Sequence, residues 1–453
     1  MAQTTRPHVV ILGGGFAGLY CVRALDRADV RITLVDRRNH HLFQPLLYQV
    51  ASAVLNPSEI AQPLRSVFGH RDDLDVVLAE AVSVDPRAKI VHLRDGQLSY
   101  DYLVIATGAV DAFFGHPEWE ERTVGLKSIE EALEIRRRIL FAFEAAEREQ
   151  DPERQREWMT FVLIGGGPTG VEMAGALAEI ARITIAHDFH HIDPKSARIV
   201  LIEGLPRVLP AYPDALSESA RRTLERKGVE VRTGAKVSRI DPDAVWVGEE
   251  RIATRTLIWS AGVAAAPIGA TLGVPLGKGG RVQVQPDLTV PGHPEIFVAG
   301  DMVSLEQNGK PVPGVAPAAI QMGKHVAKNL RRVLKGEPPL PFHYLDKGLF
   351  SVIGRNAAVG TVFGRWQVKG FIAWASWLFI HLLYLVGFRN RFLVFSNWAY
   401  SYLSKRRGAR LITAESRVEV DRPLVLLPEN VVPDGDAPPA TQAPQDAHAP
   451  VTH

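Results

Sequence analysis

Among 453 residues there is one cysteine, Cys21. This excludes an internal disulfide, a Cys-x-x-Cys redox pair and a metal cluster held by thiolates of this chain alone. An excess of one charge is missing too: 52 Lys and Arg face 50 Asp and Glu, for a formal net charge of +2. The whole-molecule field therefore has no footprint of a nucleic-acid binder, and no nucleic-acid partner is expected. No separate charged, apolar and cleavage regions of a signal peptide precede the run Val9-Val10-Ile11-Leu12, which predicts a cytoplasmic catalytic body. Low-complexity tracts do not interrupt residues 1–400. The stretch 421–453 is rich in Pro, Ala, Asp and Gln and has no apolar period, so 411–453 is expected to be a disordered tail. What is present is ordinary globular composition, 46% hydrophobic and 23% charged, long enough for two or three domains of roughly 150 residues each.

Val9 to Leu12 has the β-branched character of a strand buried on both faces, and Gly13-Gly14-Gly15-Phe16-Ala17-Gly18 follows at once. A helix-like stretch and a second strand come next, ending at Asp36, 23 residues past Gly13. Strand, G-x-G-x-x-G loop, helix, strand and acid together form the dinucleotide fingerprint. Its glycines permit the tight turn, the approach of backbone N–H groups to a pyrophosphate, and close helix packing. Asp36 would accept the adenosine ribose hydroxyls.

The pattern recurs. Phe161 to Ile164 leads into Gly165-Gly166-Gly167-Pro168-Thr169-Gly170, a helix, and a strand ending at Glu203, 38 residues past Gly165. The excess over the usual spacing of about 20 fits an insertion through 185–196, which carries His187, His190 and His191. Each half also closes on a similar stretch, Leu103-Val104-Ile105-Ala106-Thr107-Gly108 and Leu257-Ile258-Trp259-Ser260-Ala261-Gly262. Gly13 to Gly108 is 95 residues and Gly165 to Gly262 is 97, so a whole domain is repeated. Two fingerprints imply two dinucleotides. A later apolar run, Ile296 to Ala299, ends at Asp301. That acid either caps a turn or, if the chain returns to the first domain, lies near the first nucleotide.

With these motifs the chain resembles the two-dinucleotide-binding flavoproteins and, within them, type II non-proton-pumping NADH:quinone oxidoreductases. The resemblance runs from His8 to about Arg410. Its specific stretches are Asn39-His40-His41-Leu42-Phe43-Gln44-Pro45-Leu46-Leu47-Tyr48-Gln49-Val50-Ala51, Gly165 to Glu172, Pro206 to Pro210, and Asp346-Lys347-Gly348 with Ile353-Gly354-Arg355. It implies an α/β fold of two Rossmann-like domains, one for FAD and one for NADH, plus a C-terminal amphipathic helical membrane-anchoring region. The domain plan is 1–125 and 286–345 for FAD, 126–285 for NADH, and 346–410 for the membrane.

By the same resemblance FAD lies over Gly13, Gly14, Gly15, Phe16, Ala17 and Gly18, with its ribose on Asp36 and flanks at Asn39, His40 and Val82. Its ribityl and flavin side lies near Thr107, Gly108, Asp301, Ile320 and Gln321. NADH lies over Gly165, Gly167 and Gly170 with its ribose on Glu203, an acid that by itself disfavours a 2′-phosphate; Arg207 is close by. Quinone is the implied acceptor, with Gln321 and Gln49 as the residues facing it. The segment Ala316-Pro317-Ala318-Ala319-Ile320-Gln321 departs from the family pattern, which carries glutamine where this chain has Pro317. Glu172 has two readings: an acid in a first helical turn favoured by the macrodipole, or a group near flavin and nicotinamide that aligns NADH or passes protons. The three insertion histidines read as surface or packed residues, and no metal site is expected.

The residues 371–388 contain one ionisable side chain, His381. At about 1.5 Å per residue this run barely reaches the roughly 30 Å of a bilayer core. Arg365 and Lys369 precede it, and Arg389, Arg391, Lys405, Arg406, Arg407 and Arg410 follow. An interfacial segment keeps both basic sets at the same headgroups. Trp366, Trp374, Trp377 and Trp398 suit that interface, as does a second run, 392–403, with Asn397, Ser401 and Ser404 on one face. The expected location is thus the inner face of the cytoplasmic membrane, peripheral; the other reading of the segment is a homodimer contact. Two rival functions remain open: a flavin-dependent NADH reductase of a soluble electron carrier, and a membrane sensor that binds NADH without turnover.

Overall fold

A computed structural model of the chain describes residues 6–69, 71–404, 407 and 409–412. The expected tail lies outside the described residues except for Leu411 and Ile412.

Each fingerprint builds the same unit. In the first, His8–Leu12 pairs in parallel with Arg31–Asp36 on one side, register Leu12 to Val35, and with Tyr102–Ile105 on the other. Leu74–Leu78 extends the sheet beyond Arg31–Asp36. In the second, Thr160–Ile164 lies between Arg198–Glu203 and Thr256–Trp259, and Val229–Thr233 closes the edge. Residues 9–12 and 161–164 are all buried, as strands covered on both faces must be. Each unit also carries a three-stranded antiparallel meander, Ala81–Asp85, Ile90–Leu93 and Gly96–Ser99 in one, Val237–Asp241, Ala244–Val247 and Glu250–Ala253 in the other.

The chain crosses between the units twice, and Ala109–Asp111 and Val263–Ala265 pair antiparallel where it does so. It then returns: His293–Val298 adds to the first sheet in parallel beside Tyr102–Ile105. Asp301 is thereby delivered to the first nucleotide unit. The helix Ala316–Val333 follows and packs against Phe16–Ala24 so closely that a Cβ on Gly323 would run into the Ala17 carbonyl.

A third sheet, Phe350–Gly354, Ala357–Val362 and Trp366–Lys369, lies on the second unit. Contact with the helix Pro168–Glu179 is again backbone-close, since a Cβ on Gly175 would meet the Ile353 carbonyl. Two helices complete the layer, Gly370–Tyr384 and Phe388–Ser404. Among the described residues, no helix is long and apolar enough to cross a membrane.

Candidate active site

The first cradle is closed on its protein side and open on the other. Gly13 has φ +100°, and a Cβ there would strike the Ala106 carbonyl; one on Gly18 would strike the Gly13 carbonyl, while one on Gly15 would meet nothing within 4 Å. Gly15 caps the helix Phe16–Ala24 without a side-chain acceptor, so the first N–H groups and the positive end of the helix dipole are left for an anion. Asp36 accepts the N–H of Gly14 at 2.6 Å and of Arg38 at 2.7 Å. Asn39 and His40 follow on the same rim, their side chains meeting at 3.0 Å. Ala79 donates its N–H to the Asp36 carbonyl, and Val82, three residues on, is exposed.

Opposite this rim, Thr107 donates to the Met302 sulfur at 3.3 Å, and Gly108 follows with φ +73°. Burial pushes the Asp301 carboxyl up, opposed by Arg281 and Lys127. A Cβ on Gly300 would touch Ala17 and Ala319, so the backbone just before Asp301 and just before Ile320 meets the helix that follows the first loop. These residues fit a dinucleotide whose pyrophosphate lies on the loop and whose far end reaches Asp301. Sequence reasoning passed over His41: its buried ring is held on the Gly14 carbonyl at 2.9 Å, and burial lowers its pKa to about 4.

The second cradle repeats the first. Gly165 has φ +108° against Ser260 and Ala261, Gly170 abuts the Gly165 carbonyl, and Gly167 opens outward. Glu203 accepts the N–H groups of Gly166 at 2.6 Å and Leu205 at 2.7 Å. Arg207 is occupied by the Asp214 carboxylate and the carbonyls of Pro210 and Tyr212.

Below the nucleotide units is a cavity of about 580 Å³ between the helix Pro168–Glu179, the third sheet and the two C-terminal helices. Gln49, Glu172 and Arg407 line it among Trp374, Trp377 and Trp398. Glu172 lies beyond the first turn of its helix, which removes the macrodipole reading. Its carboxyl accepts the Val352 N–H at 3.3 Å, and burial raises its pKa to about 8. Gln49 and Glu172 are thus brought together. Gln321 is not among the residues lining this cavity; both ends of its amide are bonded to the Leu345 backbone, at 2.9 and 3.0 Å. Pro317 occupies the first turn of its helix, where its missing N–H costs no helical bond.

The C-terminal layer corrects several expectations. Asn397, placed on the polar face of an interfacial helix, turns to the body and donates to Glu59 at 2.6 Å. Trp398 donates to Gln49 at 2.7 Å and Trp377 is 1% exposed, so neither belongs to an interfacial belt; Trp366 is exposed. Arg407 is buried, donating to the Ser52 carbonyl at 2.7 Å, Arg391 binds the carbonyls of Leu383 and Leu385, and Arg410 binds Asp188. Arg407 is thus an inward partner and not a headgroup contact, whereas Arg391 and Arg410 stay exposed at the surface. The Ser52 residue whose carbonyl takes Arg407 is fully buried, and an unpaired buried carbonyl is costly. His381 is packed: its ring stacks on Trp377 at 4.1 Å and bonds to the Trp377 carbonyl. Lys405 and Arg406 lie outside the described residues. Outward-facing side chains include large apolar ones, with Phe388 84%, Phe392 61% and Leu403 81% exposed, beside the exposed Arg389 and Arg391.

His187, His190 and His191 are exposed, and the backbone N–H groups of His190 and His191 are held by the Glu147 carboxylate. No group of His, Cys, Asp or Glu suited to a metal ion occurs among the described residues.

The sequence profile of the pyridine nucleotide-disulphide oxidoreductases matches residues 7–323. A Mycobacterium tuberculosis protein named type II NADH:quinone oxidoreductase Ndh is 43% identical over 91% of this chain and 92% of its own. The Staphylococcus haemolyticus type II NADH:quinone oxidoreductase is 33% identical over 81% and 92%. The chain belongs to the type II NADH:quinone oxidoreductase family. Its fold matches that of NDH2 from Plasmodium falciparum in complex with NADH, with TM-score 0.82 and 19% identity, covering 90% of this chain and all of that one. The Aquifex aeolicus sulfide:quinone oxidoreductase also shares the fold, with TM-score 0.69 and 20% identity over 88% of this chain and 96% of that one. Within the family fold, chemistry that runs through an active-site cysteine is closed to this member. Cys21 is fully buried in the helix after the first loop, and burial pushes its thiol up to about 12.

Proposed function

We propose that this flavin-dependent oxidoreductase takes hydride from NADH held on the second cradle, with FAD on the first, and reduces a membrane quinone in the cavity lined by Gln49 and Glu172. When bound, the flavin supplies a hydride acceptor and a two-electron donor. The chain does the rest. Asp36 and Glu203 fix the two riboses, the N-termini of the helices Phe16–Ala24 and Pro168–Glu179 hold the pyrophosphates, and the antiparallel crossing at Ala109–Asp111 and Val263–Ala265 sets the two units relative to each other. With a pKa of about 8, Glu172 is protonated at neutral pH and able to release a proton toward a quinone oxygen.

One observation carries the quinone reading: Phe379, Phe395 and Leu403 line the cavity and are exposed, so its mouth opens on the apolar outer face of the C-terminal helices. A polar, soluble acceptor has no use for such a mouth, whereas a lipid-dissolved head group enters by it. That face supports peripheral attachment, with the nucleotide units turned to the cytoplasmic side, where NADH is available. Pairing of two copies through the same face is the competing use of it.

Anaerobic stopped-flow absorbance tests the reading. NADH should bleach the flavin of detergent-solubilised protein, and a short-chain menaquinone or ubiquinone should restore it. Bleaching without recovery would overturn the quinone assignment and favour a protein acceptor or a sensor.

A further inference from the structure

We propose that Tyr48 is the hydrogen-bond donor to the quinone carbonyl oxygen, and that Trp398 and Gln49 orient it. The inference rests on the quinone occupying the cavity described above.

Direction is what the hydrogen bonds establish. An indole N–H only donates, so the Gln49 atom 2.7 Å from Trp398 Nε1 is the carbonyl Oε1, and the usual ambiguity of amide assignment is removed. The amide Nε2 is then the group that faces the Tyr48 hydroxyl, at 3.1 Å, and it donates. The Tyr48 oxygen therefore accepts along that line and must point its own hydrogen elsewhere. Among the described residues no acceptor for that hydrogen is found. Tyr48 lines the cavity, is 6% exposed, and has its ring packed at 6.3 Å from that of Trp377. A buried hydroxyl with an unclaimed hydrogen facing a cavity is costly unless a ligand takes it.

The quinone oxygen is such an acceptor. As two electrons arrive from the reduced flavin and two protons are taken up, negative charge grows on the carbonyl oxygens, and a fixed O–H donor in a water-poor site gains strength with that charge. Tyr48 keeps its proton throughout. Burial raises its pKa well above the ordinary value, as suits a donor that does not ionise. Gln49 has both functional ends of its amide engaged, so it is a positioning residue acting through Tyr48. Trp398 comes from the helix Phe388–Ser404, so the outer layer that faces the membrane also sets the last hydrogen bond of the site.

The test compares three variants of the full-length holoenzyme. Tyr48→Phe keeps the ring and removes the donor. Flavin bleaching by NADH should stay within about twofold of wild type, and reoxidation by a short-chain quinone should slow on the order of 10²-fold. Quinone binding, read from quenching of cavity tryptophan fluorescence, should weaken only about threefold, because the bond strengthens mainly as charge develops. Trp398→Phe releases the amide and should slow reoxidation about tenfold with normal bleaching. Ala375→Trp fills the cavity and should abolish reoxidation. If Ala375→Trp blocks reoxidation while Tyr48→Phe and Trp398→Phe reoxidise at wild-type rates, the Tyr48 proposal is wrong and the site reading stands. If Ala375→Trp reoxidises normally, the cavity is not the quinone site and both fall. Should Tyr48→Phe fail to hold flavin, the Trp398→Phe rate decides alone.

Discussion

Glu172→Gln separates a proton-carrying Glu172 from a merely packed one. In the folded protein its carboxyl sits against the third sheet and the cavity, and desolvation by burial raises its pKa from 4.5 to about 8; the Val352 N–H, which favours the charged form, does not offset this. At pH 7 about nine-tenths of the molecules then hold the proton, and at pH 9 about one-tenth do. If that proton goes to quinone, the wild-type reoxidation rate should fall roughly tenfold between pH 7 and pH 9, while the rate of flavin bleaching keeps its own profile. Glutamine keeps an acceptor for the Val352 N–H but cannot titrate, so its reoxidation should be slow and flat over the same range. Stability carries an independent signature. Because the folded-state pKa is raised, the proton is bound more tightly in the folded state. The associated stability is complete below about pH 4.5 and is lost as pH rises through about 8. Full ionisation costs at most about 5 kcal/mol, reduced because Glu172 is open to the cavity on one side. Between pH 6 and pH 9 the wild type should lose roughly 1–3 kcal/mol more than Glu172→Gln, measured by denaturant unfolding at each pH. Parallel stability curves would refute the raised pKa, and a wild-type reoxidation rate that is flat to pH 9 would refute the proton role.

Three further outcomes follow from the geometry. Glu203→Gln removes the charge facing a 2′-phosphate, a repulsion of about 3 kcal/mol per unit charge at roughly 5 Å in an effective dielectric of about 20; after screening, the preference for NADH over NADPH in kcat/KM should narrow about tenfold, and unchanged relative kinetics would remove Glu203 from the ribose. Replacing Phe388, Phe392 and Leu403 together by Glu strips the outer face of roughly 1.5–3 kcal/mol of apolar burial per side chain without touching the inward bonds of Asn397 and Trp398. Flotation with anionic vesicles should be lost and bound flavin retained, whereas a loss of dimer with vesicle binding intact would assign the face to self-association. Gly18→Ala should yield protein without flavin, and Gly170→Ala protein that keeps flavin but bleaches slowly with NADH, since each Cβ would run into the first glycine of its own loop; absorbance at the flavin band checks both.

The two nucleotide units were legible because their determinants are local and occur in order. A fully buried parallel strand has to read as a β-branched run, the glycine loop has to sit at its end, and the acid has to close the next strand, so Val9 to Asp36 and Phe161 to Glu203 can be placed without tertiary knowledge. The return of the chain at residues 293–298 was legible too, from an apolar run ending in Asp301. The wide gap between Gly165 and Glu203 has a physical source in the structure: the helix Pro168–Glu179 continues as a π-helical turn, Ile180–Thr184, before a loop anchored on Glu147 brings the chain back to the sheet. Nothing in the residue pattern distinguishes that extension from a free insertion.

The C-terminal layer was legible in content and not in orientation. Periodicity shows that Asn397, Ser401 and Ser404 share a helical face, but Asn397 is satisfied equally by water or by a protein that offers Glu59, and the Trp398 indole equally by an interface or by Gln49. The choice is made by partners more than 300 residues away in sequence, which no local window contains. Arg407 follows the same logic. In a row of cations it looks like a headgroup contact, yet the Ser52 carbonyl and Glu179 are placed to take it into the cavity wall, and its burial lowers its pKa and leaves it dependent on those acceptors. The inversion has a functional consequence. If the polar face had turned to water, the helix Phe388–Ser404 would attach the protein to a membrane and do nothing else. With Asn397 and Trp398 turned inward, it leaves Phe388, Phe392, Phe395 and Leu403 exposed on one side and holds Gln49 through Trp398 on the other. Under the proposed function, one helix thereby joins the place where an apolar substrate arrives to the hydrogen bonds that meet it.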